Sequence, residues 1–243
     1  MKATIISLVL ALVPVGSAPA ASIYTVSNLS ATIPDNDLDG YQNSQAVSGL
    51  GGLITGVSVS LDITAGFNGD LYVYLQHDNS QAVLLNRVGL DGVNGVGYPN
   101  TGFNITLDDN AANDVHFYQN SPYSLSGSGQ LVGAWQPDGR LIDPLSAGSA
   151  FMSATRGNLL SVFDGEDPNG TWTLFAADVS AGGVSILQGW ELAITAVPEP
   201  GSAALLGCGL ACGLLRTLVR RGTGRRGAFT GPSAGAAETV LKN

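Results

Sequence analysis

The two histidines of this 243-residue chain, His77 and His116, are the side chains best suited to act as a general base. A serine hydrolase needs a nucleophile, a base and an orienting carboxylate that converge in space. Neither histidine lies in a subtilisin-like histidine or serine signature, and His77 falls in Gln76-His77-Asp78-Asn79-Ser80, which is typical of a hairpin turn. We therefore predict that neither histidine is catalytic.

Carboxylates could supply a second kind of chemistry. A glycosidase needs two cooperating carboxylates. Residues 21–197 hold 17 acidic side chains, all of the chain's 19 except Glu199 and Glu238, and no spacing singles out one pair. The sequence therefore predicts a protein that is not an enzyme, and the alternative is a hydrolase whose site the sequence does not reveal.

Three aspartates at alternate positions, Asp35, Asp37 and Asp39, could supply hard oxygen ligands to calcium. Their spacing resembles the first half of an EF-hand loop, but Ala46 stands where that loop needs a bidentate glutamate. One interpretation is a different calcium site that also uses the acidic segment at 164–167. The other is a solvated turn without metal, because aspartate favours turns. Calcium is the only cofactor that these residues suggest.

Charge is distributed unevenly along the chain. Residues 21–197 contain 17 acidic side chains against three arginines and no lysine, a formal charge of −14 with histidine neutral, whereas six of the ten basic residues follow residue 200. Phosphate groups repel a strongly acidic surface. We therefore exclude nucleic acid as a partner of this region.

The first 20 residues have the pattern of a secretory signal peptide. An apolar run follows Lys2, and the small residues Ala18 and Ala20 stand three and one positions before a cleavage bond between Ala20 and Ala21. The run is too short to cross about 30 Å of hydrocarbon. Signal peptidase is thus a predicted partner, and the chain is predicted to be exported.

The C-terminal part of the chain carries a second sorting pattern at 198–226. Pro198, Glu199 and Pro200 precede a short apolar helix, which is followed by Arg220 and Arg221. These features resemble the PEP-CTERM sorting signal, which implies recognition by a membrane exosortase in a bacterium with two membranes. The resemblance implies a transient anchor in the inner membrane and a final location at the cell surface or outside the cell. The Gly/Ala-rich tail at 227–243 is predicted to be disordered.

Between the two signals, residues 21–197 show the period-two alternation of half-buried strands. Apolar residues alternate with polar ones at 57–64, 71–76, 103–108, 171–176 and 190–195, and turn pairs such as Asn68-Gly69 and Asn169-Gly170 separate the strands. Trp172 and Trp190 fall on inward positions. The pattern predicts an all-β fold, a jelly-roll-like antiparallel β-sandwich.

Four blocks within this region resemble the P domain, also called Homo B, of proprotein convertases. The blocks are Ile33-Pro34-Asp35, Phe67 to Leu75, Asn169 to Leu174 with Asp178, and Leu187 to Leu192. The resemblance implies a jelly roll of eight or nine strands. In the convertases this module follows a subtilisin-like catalytic domain and stabilises it. Here the first block begins 12 residues after Ala21, so we expect a module without a preceding catalytic domain.

The function predicted from the sequence is that of an exported, non-catalytic binding or structural module of the envelope or extracellular matrix. Its loops would contact extracellular polysaccharide or a surface protein. The alternative is an accessory partner of a separately encoded subtilisin-like serine endopeptidase, which would be associated with proteolysis without an active site of its own.

Overall fold

The computed structural model of the protein describes residues 20–197. The predicted signal peptide up to residue 19, the sorting signal at 198–226 and the tail at 227–243 lie outside the described residues. Pro198, Glu199, Pro200, Arg220 and Arg221 are therefore not placed by the structure. Within residues 20–197, no helix has the length and apolarity that crossing a bilayer requires.

The described region is an all-β fold, as predicted, with eleven strands in two sheets. The strands are β1 (Ala20–Val26), β2 (Ala31–Ile33), β3 (Asp37–Val47), β4 (Leu53–Ala65), β5 (Leu71–His77), β6 (Ser80–Asn86), β7 (Gly102–Asp108), β8 (Ser124–Leu125), β9 (Leu131–Trp135), β10 (Gly170–Asp178) and β11 (Ser185–Val197). One short α-helix, α1 (Gly148–Ser153), and 3₁₀ turns at Asn68–Asp70, Val115–Asn120 and Leu160–Phe163 lie in the connections.

The larger sheet has seven strands in the order β1-β11-β4-β7-β9-β8, with β2 also paired to β11. The smaller sheet has four strands in the order β3-β10-β5-β6. The predicted antiparallel arrangement is right for these pairs except one, because β7 and β9 run parallel. The long segment between them carries the chain back to the end of the sheet from which β7 began, as a parallel pair requires.

The two sheets share one hydrophobic core. Val59, Leu61 and Ile63 of β4 and Val73 and Leu75 of β5 are almost completely buried, and they belong to one continuous cluster of side chains. The prediction that Trp172 and Trp190 are core residues is confirmed, with exposed fractions of 0% and 3%. Each Å² of apolar surface that is buried on folding contributes about 25 cal/mol to stability. This cluster is therefore the main source of the protein's stability.

The segment between β9 and β10 lies along the free edge of β6. Asp138 N donates to Leu84 O, Gly139 N donates to Val83 O, and Val83 N donates to Asn158 O. Both faces of β6 are buried, which explains its continuous apolar sequence Ala82-Val83-Leu84-Leu85. Covering an edge strand in this way protects it from pairing with another chain.

Candidate functional site

The acidic residues predicted as calcium ligands lie partly in a strand. Asp35 belongs to the turn before β3, but Asp37 and Asp39 are the first and third residues of β3. The solvated turn expected over all three residues is therefore wrong for Asp37 and Asp39. The strand forms because the backbone of β3 pairs with β10 along its length, with Asp37 opposite Asp178.

The structure separates the two acidic segments that a joint calcium site would need. Asp37 lies beside the last residue of β10, whereas Asp167 precedes the first residue of that strand. Nine residues of extended chain span about 30 Å. Within residues 20–197, no three His, Cys, Asp or Glu side chains meet in a way that could hold a metal ion. Calcium binding stays a prediction from the sequence alone.

Asp35 instead contributes to a group of carboxylates that includes Asp70 and Asp178. Burial raises the pKa of Asp178 to about 6, with further contributions from the negative charges of Asp70 and Asp35. Burial also raises the pKa of Asp70, while Arg87, 3.8 Å away, acts in the opposite direction. Among residues 20–197, Arg87 is the one guanidinium that faces these carboxylates, so their mutual repulsion is not fully offset.

His77 ends β5 at the predicted hairpin, and its ring is fully buried. Its Nδ1 lies 3.2 Å from Thr171 O and its Nε2 lies 2.8 Å from Asp167 O. The ring also stacks on Trp172. Both ring nitrogens therefore hold the start of β10 in place.

His116 is also fully buried. It contacts a network of charged side chains that includes Asp138 and Arg140, which follow β9 in the chain. Its Nδ1 is 2.6 Å from Asp138 Oδ2, and its Nε2 is 3.0 Å from Leu90 O. Arg140 Nη1 is 3.2 Å from the other oxygen of Asp138, and Arg140 Nη2 is 2.8 Å from Asp114 Oδ2. Asp114 Oδ1 in turn accepts a hydrogen bond from His116 N.

The ring nitrogens of both histidines make contacts within the fold. Each of the four ring nitrogens lies 2.6–3.2 Å from a backbone carbonyl or carboxylate oxygen. A general base needs a free lone pair aimed at a nucleophile. Within residues 20–197, no hydroxyl or thiol is hydrogen-bonded to either ring.

An open groove of about 540 Å³ lies on the outer face of the seven-stranded sheet. Ser60 and Asp62 of β4 and Asn104 of β7 form its floor, and β11 contributes Gln188 and Glu191. Sequence reasoning missed this site, although its floor consists of the polar positions that alternate with the core residues of β4 and β7. Polar positions on an outer face look the same whether they face a groove or open water.

No protein-family model matches the chain, and no curated protein matches it. A solved structure of the Aeromonas sobria serine protease in complex with the chaperone is similar over 75% of this chain and 28% of that chain, with a TM-score of 0.43 and 12% sequence identity. A structure of the Aeromonas sobria serine protease is similar over 74% and 27%, with a TM-score of 0.40 and 12% identity. The chain spans little more than a quarter of these proteins, and likeness at this level carries no functional argument.

Proposed function

We propose that the protein is an exported, non-catalytic binding or structural module of the cell envelope or extracellular matrix. The observation that supports it best is that all four ring nitrogens of His77 and His116 lie within hydrogen-bond distance of oxygen atoms of the fold. In this proposal residues 20–197 form a rigid, acidic β-sandwich, and its two histidines stabilise the fold. The sorting patterns at both ends of the sequence support the location.

The proposal includes the two resemblances found in the sequence. The body at 21–197 would be a P/Homo B-like jelly roll, and the segment at 198–226 would be a PEP-CTERM signal processed by an exosortase. In this account the protein is held briefly in the inner membrane and is then transferred to the surface or released.

Cell fractionation with a matched pair of variants tests the sorting role. We expect Glu199→Ala to accumulate in the inner membrane with its C-terminus intact, because the altered motif would no longer be recognised. Glu238→Ala removes the same charge in the tail and should fractionate like the wild type. Recovery of Glu199→Ala in the same fractions as the wild type, or of the wild type in the cytosol, would contradict the proposal.

An assay of the purified full chain on protein and glycan substrates tests the absence of catalysis. The expected result is no turnover above that of a buffer blank. Hydrolysis that disappears in His116→Gln or His77→Gln, while the variant still shows a cooperative unfolding transition, would overturn the proposal. Co-purification with a subtilisin-like protease from the native host would instead favour the accessory role.

A further inference from the structure

One rim of the groove on the seven-stranded sheet is held in place by hydrogen bonds. The connection from β1 to β2 forms this rim, and Leu29 N donates to Gln188 O at 2.9 Å while Ser30 Oγ lies 3.3 Å from Gln188 Oε1. Asn28 and Ser30 have positive φ values of 58° and 47°. Non-glycine residues seldom adopt this conformation, and the two contacts with Gln188 hold the rim in this shape.

Hydrogen bonds from neighbouring side chains orient the two carboxylates of the groove. Gln130 Nε2 donates to Asp62 Oδ1 at 2.9 Å, and Thr25 Oγ1 donates to Glu191 Oε2 at 3.1 Å. Within the described part of the chain, Asp62 Oδ2 and Glu191 Oε1 have no hydrogen-bond partner. One oxygen of each carboxylate is thus fixed by the protein, and the other can accept a hydrogen bond from a ligand.

Asn104 adds an exposed amide to the floor of the groove. Its side chain makes no hydrogen bond to any other described residue, so it can both donate to and accept from a ligand. The side chains of Asp62 and Asn104 lie on one face of the sheet, on paired positions of β4 and β7. Directly paired residues have Cβ atoms about 5 Å apart, which suits two groups that bind neighbouring hydroxyls.

Charge restricts the ligand that this groove can accept. Asp62 and Glu191 are its charged residues, and none of the three arginines at 20–197 lines it. Arg87 is paired with Asp70, and Arg140 and Arg156 are paired with Asp114. A phosphate, sulfate or uronate group would therefore meet two carboxylates without a compensating cation.

The wall of the groove combines polar and apolar surface. Trp190 contributes to the lining, but it is only 3% exposed and its indole nitrogen donates to Asn43 Oδ1 at 2.8 Å. Polar residues outnumber apolar ones in the rest of the lining, but polar and apolar atoms share the exposed wall almost evenly. A ligand that suits this wall is neutral, combines hydroxyl groups with apolar C–H faces, and is long enough to occupy an open groove.

We propose that this groove binds a neutral glycan chain, whose hydroxyl groups donate to Asp62 and Glu191 and exchange hydrogen bonds with Asn104. This inference rests on the proposed function, because an exported module would meet extracellular polysaccharide. It assigns the binding surface to the outer face of the seven-stranded sheet rather than to the loops.

Calorimetric titration of the full chain in a sugar-free zwitterionic detergent tests the inference. The probes are cellohexaose, mannohexaose and maltohexaose, with hexagalacturonate as the anionic counterpart. We expect at least one neutral hexasaccharide to bind with a submillimolar Kd and hexagalacturonate not to bind. Asp62→Asn and Asn104→Ala should each weaken binding about tenfold or more.

The β5–β6 turn supplies matched controls, because Asp78 and Asn79 are exposed and far from the groove in the smaller sheet. Asp78→Asn and Asn79→Ala should leave the Kd unchanged. The inference is overturned if no neutral hexasaccharide binds at millimolar concentration, if hexagalacturonate binds as tightly, or if the control variants weaken binding equally. Failure here combined with the expected fractionation of Glu199→Ala would remove the glycan site and leave the proposed function standing.

Discussion

The imidazole of His77 lies face to face with the indole of Trp172, with ring centroids 4.1 Å apart and planes inclined by only 4°. Trp172 also contacts Phe163 edge to face at 4.9 Å, and its Nε1 donates to Pro168 O. The histidine therefore extends an aromatic cluster from β5 to the segment that leads into β10. Histidine is often a catalytic residue, but His77 connects β5 with the start of β10.

His77→Phe separates stacking from hydrogen bonding. The phenyl ring can keep the contact with Trp172, but it leaves Thr171 O and Asp167 O without their partner. We expect the free energy of unfolding to fall by about 1–3 kcal/mol, measured by urea unfolding with tryptophan fluorescence. A variant within about 0.5 kcal/mol of the wild type would show that the two hydrogen bonds contribute little.

Asp138→Asn tests the buried network around His116. The side chain of Asp138 is completely buried, and its two oxygens contact His116 and Arg140. Removing its charge leaves Arg140 with Asp114 alone, so the variant should lose about 3 kcal/mol or more of stability. Asp143→Asn is the control, because Asp143 lies on an exposed loop where its side chain accepts a hydrogen bond from Leu145 N. Equal stabilities of the two variants would rule out a structural role for the network.

The raised pKa of Asp178 predicts that the free energy of unfolding falls as the pH rises. Its pKa is about 6 in the folded protein and near 3.8 when unfolded, so the folded state binds the proton more tightly. The stabilising contribution of its protonation is complete below about pH 4 and is lost as the pH rises through about 6.

Asp178→Asn should remove this dependence. We expect the variant to be more stable than the wild type by roughly 1–2 kcal/mol at pH 8, with the difference shrinking towards pH 4. Thermal unfolding of both proteins across this range measures it. A difference that is constant with pH, or that favours the wild type at pH 8, would contradict the assignment.

Gly189 allows the rim of the groove to pack against β11. A Cβ at this position would lie 2.6 Å from Val26 O and 3.2 Å from Ser27 Cα. Gly189→Ala should therefore displace the β1–β2 connection and cost about 1–3 kcal/mol. Gly51→Ala, where nothing lies within 4 Å, is the matched control and should change stability little. Chemical denaturation of the pair decides the point, and equal midpoints would mean that the rim tolerates the added methyl group.

The parts of the fold that could be predicted are those in which burial alternates along the chain. Val57 to Ile63 and Leu71 to Leu75 alternate strictly, and both segments are central strands with one side in the core. β3 could not be predicted in this way, because it is an edge strand whose inner positions include Asn43 and Gln45. Backbone pairing with β10 holds it, and that partner is more than 120 residues away in the chain.

The candidate site was harder to predict from the sequence than these strands. Asp62 and Asn104 are separated by 42 positions, and only the register of β4 with β7 brings them side by side. Three of the four ring-nitrogen contacts of His77 and His116 are with backbone oxygens, which have no signature in the sequence, and the fourth is with Asp138, 22 positions from His116. The exclusion of nucleic acid rests on charge alone, and it needs no knowledge of the fold.

The intact mass and C-terminal peptide map of the protein released by its native host test the central claim most directly. The account predicts an N-terminus at Ala21 and a C-terminus near Pro198 to Pro200, without Arg220 and Arg221. Recovery from the cytosol of an unprocessed 24.8 kDa chain with both ends intact would contradict it.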